Sequence, residues 1–165
     1  MQLRVKGRAN LTEADAVRYA YRLLSYRDRS EKELEERLRK KGFSEKAVRD
    51  AISSLKLKGF LNDAELAESL KRIAEDIKLL GNKGVSQFLQ HRGLSKEIIG
   101  DVLAEDDSDE IIRAKKLVDR KLKTMGNYPD EEIRKKVWRI LARKGYSFDT
   151  IRQMLKQLKI EEDET

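Results

Sequence analysis

The sequence predicts an all-α chain of three tandem three-helix repeats (helix-turn-helix-like units) stacked into an elongated, curved array. One observation is self-similarity. Leu38-Arg39-Lys40-Lys41-Gly42-Phe43-Ser44, Leu89-Gln90-His91-Arg92-Gly93-Leu94-Ser95 and Leu141-Ala142-Arg143-Lys144-Gly145-Tyr146-Ser147 share one pattern, with glycines 51 and 52 residues apart. Each glycine is followed six residues later by an apolar β-branched residue, Val48, Ile99 or Ile151. A fixed period of this length marks a repeat architecture. The second observation is composition. With one proline in 165 residues and 41% charged residues, the chain favours helix throughout and can bury only thin cores. No unit of about fifty residues buries much surface alone, so neighbours are expected to stabilise one another.

The elements follow in order. Residues 1–11 lack helical periodicity and read as a basic lead-in. Thr12-Glu13-Ala14-Asp15 resembles a capping box with Asp in the usual Glu position, so the first helix starts there. Val17, Ala20, Tyr21 and Leu24 form its inner face, and it should end near Ser25–Arg27. Ser30-Glu31-Lys32-Glu33 is a full capping box, opening a short helix that turns Leu34 and Leu38 inward and stops at Gly42. Ser44 caps a third helix carrying Val48, Ala51, Ile52 and Leu55, which Gly59 ends. This completes repeat 1, residues 12–59.

Repeat 2, residues 60–106, starts at Asn62-Asp63-Ala64-Glu65, and its long first helix points Leu66, Leu70, Ile73 and Ile77 inward. Gly81-Asn82-Lys83-Gly84 reads as a helix-breaking turn. A short helix with Val85, Phe88 and Leu89 runs to Gly93, and Ser95 caps the next, with Ile98, Ile99, Val102 and Leu103. The acidic run 105–110 reads as a linker whose carboxylates favour the following helix N-terminus. Repeat 3, residues 107–160, places Ile111, Ala114, Val118 and Leu122 on the inner face of a basic helix. Gly126-Asn127 turns the chain and Pro129 suits the first turn of the next helix, with Ile133, Val137, Ile140 and Leu141 inward. Ser147 caps the last helix, with Ile151, Met154, Leu155 and Leu158 inward; residues 161–165 form an acidic tail.

Charge is uneven. Residues 1–59 carry a balance of +7, residues 60–106 of −3, residues 107–160 of +7, and Glu161–Glu164 add −4. Fields of both signs suit a partner that is itself mixed, such as a protein on nucleic acid. The densest positive charge lies on the first two helices of repeat 3. Lys115, Lys116 and Lys121, accompanied by Arg120 and Lys123, precede Lys135, Lys136, Arg139, Arg143 and Lys144, accompanied by Arg134. Lys136, Arg139 and Arg143 are spaced by three and four and so can share one helix face. These residues are the candidate contacts to a phosphate backbone or an acidic protein surface. Trp138 and Tyr146 lie nearby; their helical spacing is expected to pack them in the core.

Catalysis is not expected. The chain has no cysteine and one histidine, His91, read as a surface or half-buried structural residue, so neither a zinc site nor any other metal or cofactor is expected. It lacks a phosphate-loop motif and a G-x-S-x-G nucleophile elbow. There is no long apolar run for a membrane span or signal peptide, and the absence of cysteine fits a reducing cytoplasm. Helix-turn-helix docking would put base-reading side chains near the start of the third helix of a repeat. Lys46 and Arg49, Lys96 beside Glu97 and Asp101, and Arg152, Gln153 and Lys156 make poor recognition surfaces. A DNA-binding regulator is therefore the alternative rather than the first reading.

Several segments resemble the RecX family, bacterial modulators of the RecA recombinase. Leu24-Ser25-Tyr26-Arg27-Asp28-Arg29-Ser30-Glu31-Lys32-Glu33-Leu34 matches the pattern L-S-x-R-x-R-S-x-x-E-L. Gly59-Phe60-Leu61-Asn62-Asp63-Ala64-Glu65-Leu66-Ala67 matches G-x-[IL]-[ND]-D-x-x-[FY]-A, with Leu66 where an aromatic is common. Gly81, Val85, Leu89, Arg92 and Gly93 fill G-x-x-x-[IV]-x-x-x-L-x-x-[KR]-G, and residues 135–146 resemble the C-terminal pattern loosely. The resemblance covers about residues 14–158. It implies tandem three-helix repeats and a regulator that binds the RecA filament on single-stranded DNA; a monomer is expected. It also implies inhibition of the ATPase, strand-exchange and co-protease activities, with regulation of recombination, repair and the SOS response. Direct contact with single- or double-stranded DNA is a further expectation, and no catalytic site transfers.

Overall fold

The computed structural model describes residues 12–104, 109–126 and 128–158. The basic lead-in, most of the 105–110 run, Asn127 and the acidic tail lie outside the described residues. The described residues form α1 (Glu13–Leu24), α2 (Glu31–Lys41), α3 (Glu45–Leu57), α4 (Asp63–Arg72), α5 (Asn82–His91), α6 (Lys96–Leu103), α7 (Asp109–Leu122), α8 (Asp130–Arg143) and α9 (Phe148–Gln157). A π-helical turn, Ile73–Ile77, follows α4. No strand occurs among them, and no helix among them is long and apolar enough to cross a membrane. The fold is all-α, in tandem three-helix repeats.

Cap chemistry sets the helix ends. Thr12 and Ser30 each accept from the N3 amide while Asp15 and Glu33 reach back to the cap amide, so both capping boxes form. Ser44, Ser95 and Ser147 accept from Ala47, Ile98 and Thr150 amides. Gly42, Gly93 and Gly145 all hold positive φ, 100°, 81° and 79°, which lets α2, α5 and α8 end without a β-carbon clash.

The chain divides into two compact units. One holds the described residues up to Leu66 together with Arg92–Leu94; the other holds Ala67–His91 and the chain from Ser95 onward. In the first unit, Ala16 and Ala20 of α1 meet α3, where Ala47, Val48, Ala51, Ile52 and Leu55 are buried. Small side chains on both helices allow close approach. Leu34 and Leu38 of α2 are fully buried in the same core. In the second unit, Ala114, Leu117 and Val118 of α7, Val137 and Leu141 of α8, and Ile151 and Met154 of α9 share a core with Leu79 and Tyr146. Burying such a side chain contributes about 1.5–3 kcal/mol.

Two expectations change here. Leu66 and Leu70 are buried, but Ile73 and Ile77 are 39% and 70% exposed. The π turn explains this. The Lys78 amide donates to Ile73 O, five residues back, at 3.0 Å. The inward stripe runs Leu66, Leu70, Ala74 and then, one wider turn on, Leu79. Leu79 itself adopts φ 50°, a left-handed conformation that costs on the order of 1 kcal/mol and is held by its burial. The second change is at Gly81–Gly84, which is not a four-residue break. α5 starts at Asn82, so Lys83 and Gly84 form its first turn.

That turn is glycine because another backbone lies against it. A β-carbon on Gly84 would run into the Lys144 carbonyl, and one on Gly81 into the Tyr146 backbone. The Gly81 amide donates to Lys144 O at 3.0 Å, and the Tyr146 hydroxyl donates to Leu79 O at 2.9 Å. Arg113 is buried and joins this seam. Its Nε donates to Leu80 O at 3.1 Å, its Nη2 to Asn82 Oδ1 at 2.6 Å, and its Nη1 lies 3.3 Å from Glu75. Glu110, from the acidic run expected to be a linker, is buried. It accepts from the Asn82 amide at 2.9 Å, Ser147 Oγ at 3.0 Å and Thr150 Oγ1 at 2.6 Å.

Candidate interaction surface

α8 holds its inner stripe, Ile133, Val137, Ile140 and Leu141, against α7 and α9. The remaining positions of the helix divide by angle. Lys136, Arg139 and Arg143 span its outer side; Arg139 and Arg143 are exposed, while Lys136 is half-buried with Nζ 3.6 Å from the Tyr128 ring centroid. A cation over a ring face keeps its charge while covering the aromatic. Lys135 is exposed and pairs with Glu131, one turn back, at 3.8 Å. An exposed pair of that length adds little stability.

Lys144 falls on the inner side. Its stem is half-buried, and Nζ donates to Lys78 O at 2.7 Å. Burial lowers the pKa of this ammonium, and the neighbouring cations Lys78, Lys121, Arg143 and Arg120 lower it further. The ends of α7 and α8 thus gather five cations into one positive field. Lys121, Arg143 and Lys144 were expected on this surface. Arg120 belongs to the same basic run, and Lys78 is added by the tertiary structure. No local pattern marks Lys78: it leaves the π turn and lies 66 residues before its partner.

The remaining two residues stand apart. Lys116 is exposed on the Arg120 stripe of α7, four residues earlier. Lys115 instead lines a shallow groove between α7 and α9 with Val118, Asp119, Leu122 and Met154. The eight predicted residues therefore do not make one patch. They divide among the α7–α8 end, the outer face of α8, the exposed stripe of α7 at Lys116, and the α7–α9 groove.

Of the two aromatic rings expected in the core, Tyr146 is 5% exposed and takes that place, whereas Trp138 is 47% exposed. Trp138 lies one position past Val137, about 100° around the helix, and on the same side as Arg134. His91 is exposed, with Nδ1 2.8 Å from Gln87 O, which puts it on the surface. Among the described residues no group of His, Cys, Asp and Glu is arranged to hold a metal ion.

Comparison with known proteins matches this arrangement. Residues 16–55 fit the first three-helix domain of RecX, and residues 108–155 its third three-helix domain. A regulatory protein RecX from Chlorobaculum tepidum is 30% identical over 144 residues, 87% of this chain and 88% of that protein. One from Amycolatopsis mediterranei is 30% identical over 132 residues, 79% of this chain and 75% of that protein. One from Staphylococcus haemolyticus is 29% identical over 148 residues, and there the chain spans only 55% of the relative's length. The crystal structure of RecX from Lactobacillus salivarius superposes with a TM-score of 0.76 at 24% identity, covering 90% of this chain and 97% of that one. Two domains matched in order and 30% identity across most of a relative agree with the helices, caps and repeat turns, and this chain belongs to the RecX family of regulatory proteins.

Proposed function

We propose that this chain regulates recombination and DNA repair by binding the RecA recombinase and its filament on single-stranded DNA. It inhibits the ATPase, strand-exchange and co-protease activities, and it acts as a cytoplasmic monomer with direct DNA contact at its basic surface. The observation that carries the reading is the gathering of Lys78, Arg120, Lys121, Arg143 and Lys144 where α7 and α8 end, on a RecX scaffold. Clustered cations raise the local concentration of a polyanion and gain from counterion release, so they suit a filament that displays phosphates and protein carboxylates together. Tandem repeats suit it as well, because several weak contacts on one chain reinforce each other through effective concentration. The three repeats, at 12–59, 60–106 and 107–160, would then present the same turns with different charges.

The test adds the full chain to RecA-driven strand exchange and ATP hydrolysis at fixed salt. Inhibition near stoichiometric protein is expected, weakened about tenfold or more in a Lys121→Glu/Arg143→Glu variant. No inhibition at several-fold excess over filament would overturn the reading. Tight, sequence-selective binding to duplex DNA without RecA would replace it with the DNA-binding alternative.

A further inference from the structure

We propose that the cleft between α8 and α9 is a docking site for an acidic peptide segment of a partner protein, which inserts an apolar side chain between Trp138 and Phe148. This proposal does not depend on the recombinase reading, because the cleft shares no residue with the five-cation cluster.

Three features of the cleft select that occupant. The first is uncovered aromatic surface. Trp138 and Phe148 are 47% and 64% exposed, and with Ile151 and Leu155 they bound a volume of about 400 Å³. Such surface gains free energy when another apolar group excludes water from it. The second is the charge of the rim. Arg134, Arg152 and Lys156 surround the apolar floor with no carboxylate among the lining residues, and Asp149 lies 4.0 Å from Arg152 in an exposed pair. A ring of cations attracts carboxylates and repels a basic segment. The third is preorganisation. Arg134 Nη1 donates to Leu155 O at 3.1 Å, and the Arg152 guanidinium sits 4.8 Å from the Phe148 ring centroid. Both cations are held beside the cleft with donors to spare, since a guanidinium carries five.

A nucleobase is the poorer fit. Its ring nitrogens and exocyclic groups would face the aliphatic floor of Ile151 and Leu155 without partners, a desolvation cost that an apolar side chain does not meet.

Trp138 is the only tryptophan in the chain, so its emission reports this cleft in the unlabelled chain. The probe is a short peptide with one Leu-Phe pair flanked by Asp and Glu. A saturable blue shift of Trp138 emission is expected. It should be about tenfold weaker with the pair replaced by Ser, and weaker again with the acids replaced by Lys. Phe148→Ser and Arg152→Glu/Lys156→Glu should each weaken binding by about tenfold without changing the helical circular dichroism, because these side chains are exposed. Lys121→Glu/Arg143→Glu should leave it unchanged. Oligothymidylate is the competing probe. A shift with oligothymidylate at lower concentration than with the peptide would overturn the proposal in favour of single-stranded nucleic acid. Equal binding of the Ser analogue, or no shift with the acidic peptide, would also overturn it.

Discussion

At the turn after α5, Gly93 faces the first turn of α2; a β-carbon there would lie 2.6 Å from Ser30 Oγ and 3.2 Å from Lys32 Cβ. At the turn after α8, Gly145 faces the first turn of α5, and a β-carbon would overlap the Gly84 backbone and approach the Lys83 carbonyl carbon. The same steps recur around both. The cation before each glycine donates to a carbonyl in the loop ahead of the earlier short helix: Arg92 Nη2 to Asp28 O, Lys144 Nζ to Lys78 O. A carboxylate near the start of a later long helix accepts from the first amide of that short helix: Asp63 from Glu31, Glu110 from Asn82. The chemistry then diverges. Around Gly93 the contacts are ionic, with Glu33 shared between Arg27 and Arg92 at 3.0 Å each. Around Gly145 they are backbone on backbone, made by Gly81, Gly84 and Gly145 and closed by Tyr146, Arg113 and Glu110. One joint geometry can thus be held by side-chain charge or by the absence of side chains, and the two should fail under different perturbations.

The largest effect is expected from adding a methyl group at the glycines. Gly145→Ala places a β-carbon at φ 79° against backbone that cannot rotate away, and should cost about 3 kcal/mol. Gly93→Ala at φ 81° meets a single side-chain oxygen, Ser30 Oγ, which yields only by loosening its cap on α2, and should cost about 2 kcal/mol. Gly59→Ala, at φ 75° with open space around it, should cost about 1 kcal/mol and serves as the reference. Urea unfolding of the three variants reads these values. Equal costs at all three would break the comparison.

The paired carboxylates come next. Burial pushes the Glu110 carboxyl up, but bonds from Thr150, the Asn82 amide and Ser147 outweigh it, and the net pKa is lowered. At Asp63 burial dominates. The bond from the Glu31 amide and the nearby Lys56 do not offset it, with Glu31 and Glu33 adding repulsion, and the pKa is raised. The two therefore act in opposite directions. Glu110 stabilises the fold above the unfolded carboxyl pKa, and that contribution is lost as pH falls through its folded value. Ionised Asp63 opposes folding, and its cost grows as pH rises through the carboxylate range. Glu110→Gln should lose about 2 kcal/mol at neutral pH, while Asp63→Asn should be neutral or stabilising there. Both differences should shrink near pH 3, roughly below the unfolded carboxyl values. A destabilising Asp63→Asn at neutral pH would remove the contrast.

The smallest pair is cationic. Arg92→Met breaks the shared ionic contact with Glu33 and the bond to Asp28 O, and should cost about 1–2 kcal/mol, less at high salt. Lys144→Met loses one bond but also relieves repulsion from Lys78, Lys121, Arg143 and Arg120, so its effect should stay within about 0.5 kcal/mol. Thermal melts at low and high salt distinguish them. A salt-insensitive Arg92→Met would show that the Gly93 joint does not depend on charge.

Much of the fold was legible before the structure. The helix starts at Thr12, Ser30, Ser44, Ser95 and Ser147 and the stops at Gly42, Gly93 and Gly145 were readable because a cap involves residues within one turn of each other. The basic surface was legible as composition but not as geometry. Lys121, Arg143 and Lys144 converge with Lys78, whereas Lys115 of the same run turns toward α9. Helical spacing places a side chain on a face, but what meets that face comes from another helix.

The sequence by itself determined the helices, their caps, the repeat and its glycine turns, because these depend on neighbours three to five residues away. Tertiary structure decided the rest. It put a π turn after α4, exposing Ile73 and Ile77, and buried Glu110 among Asn82, Ser147 and Thr150, residues 28 to 40 positions distant. It left Trp138 on the surface while Tyr146 went inside. It also separated two turns that look alike in sequence by what each glycine faces: a hydroxyl at Gly93, bare backbone at Gly145. Those outcomes depend on packing between elements far apart in the chain, where volume and unpaired polar groups must be reconciled together, and no local pattern records that reconciliation.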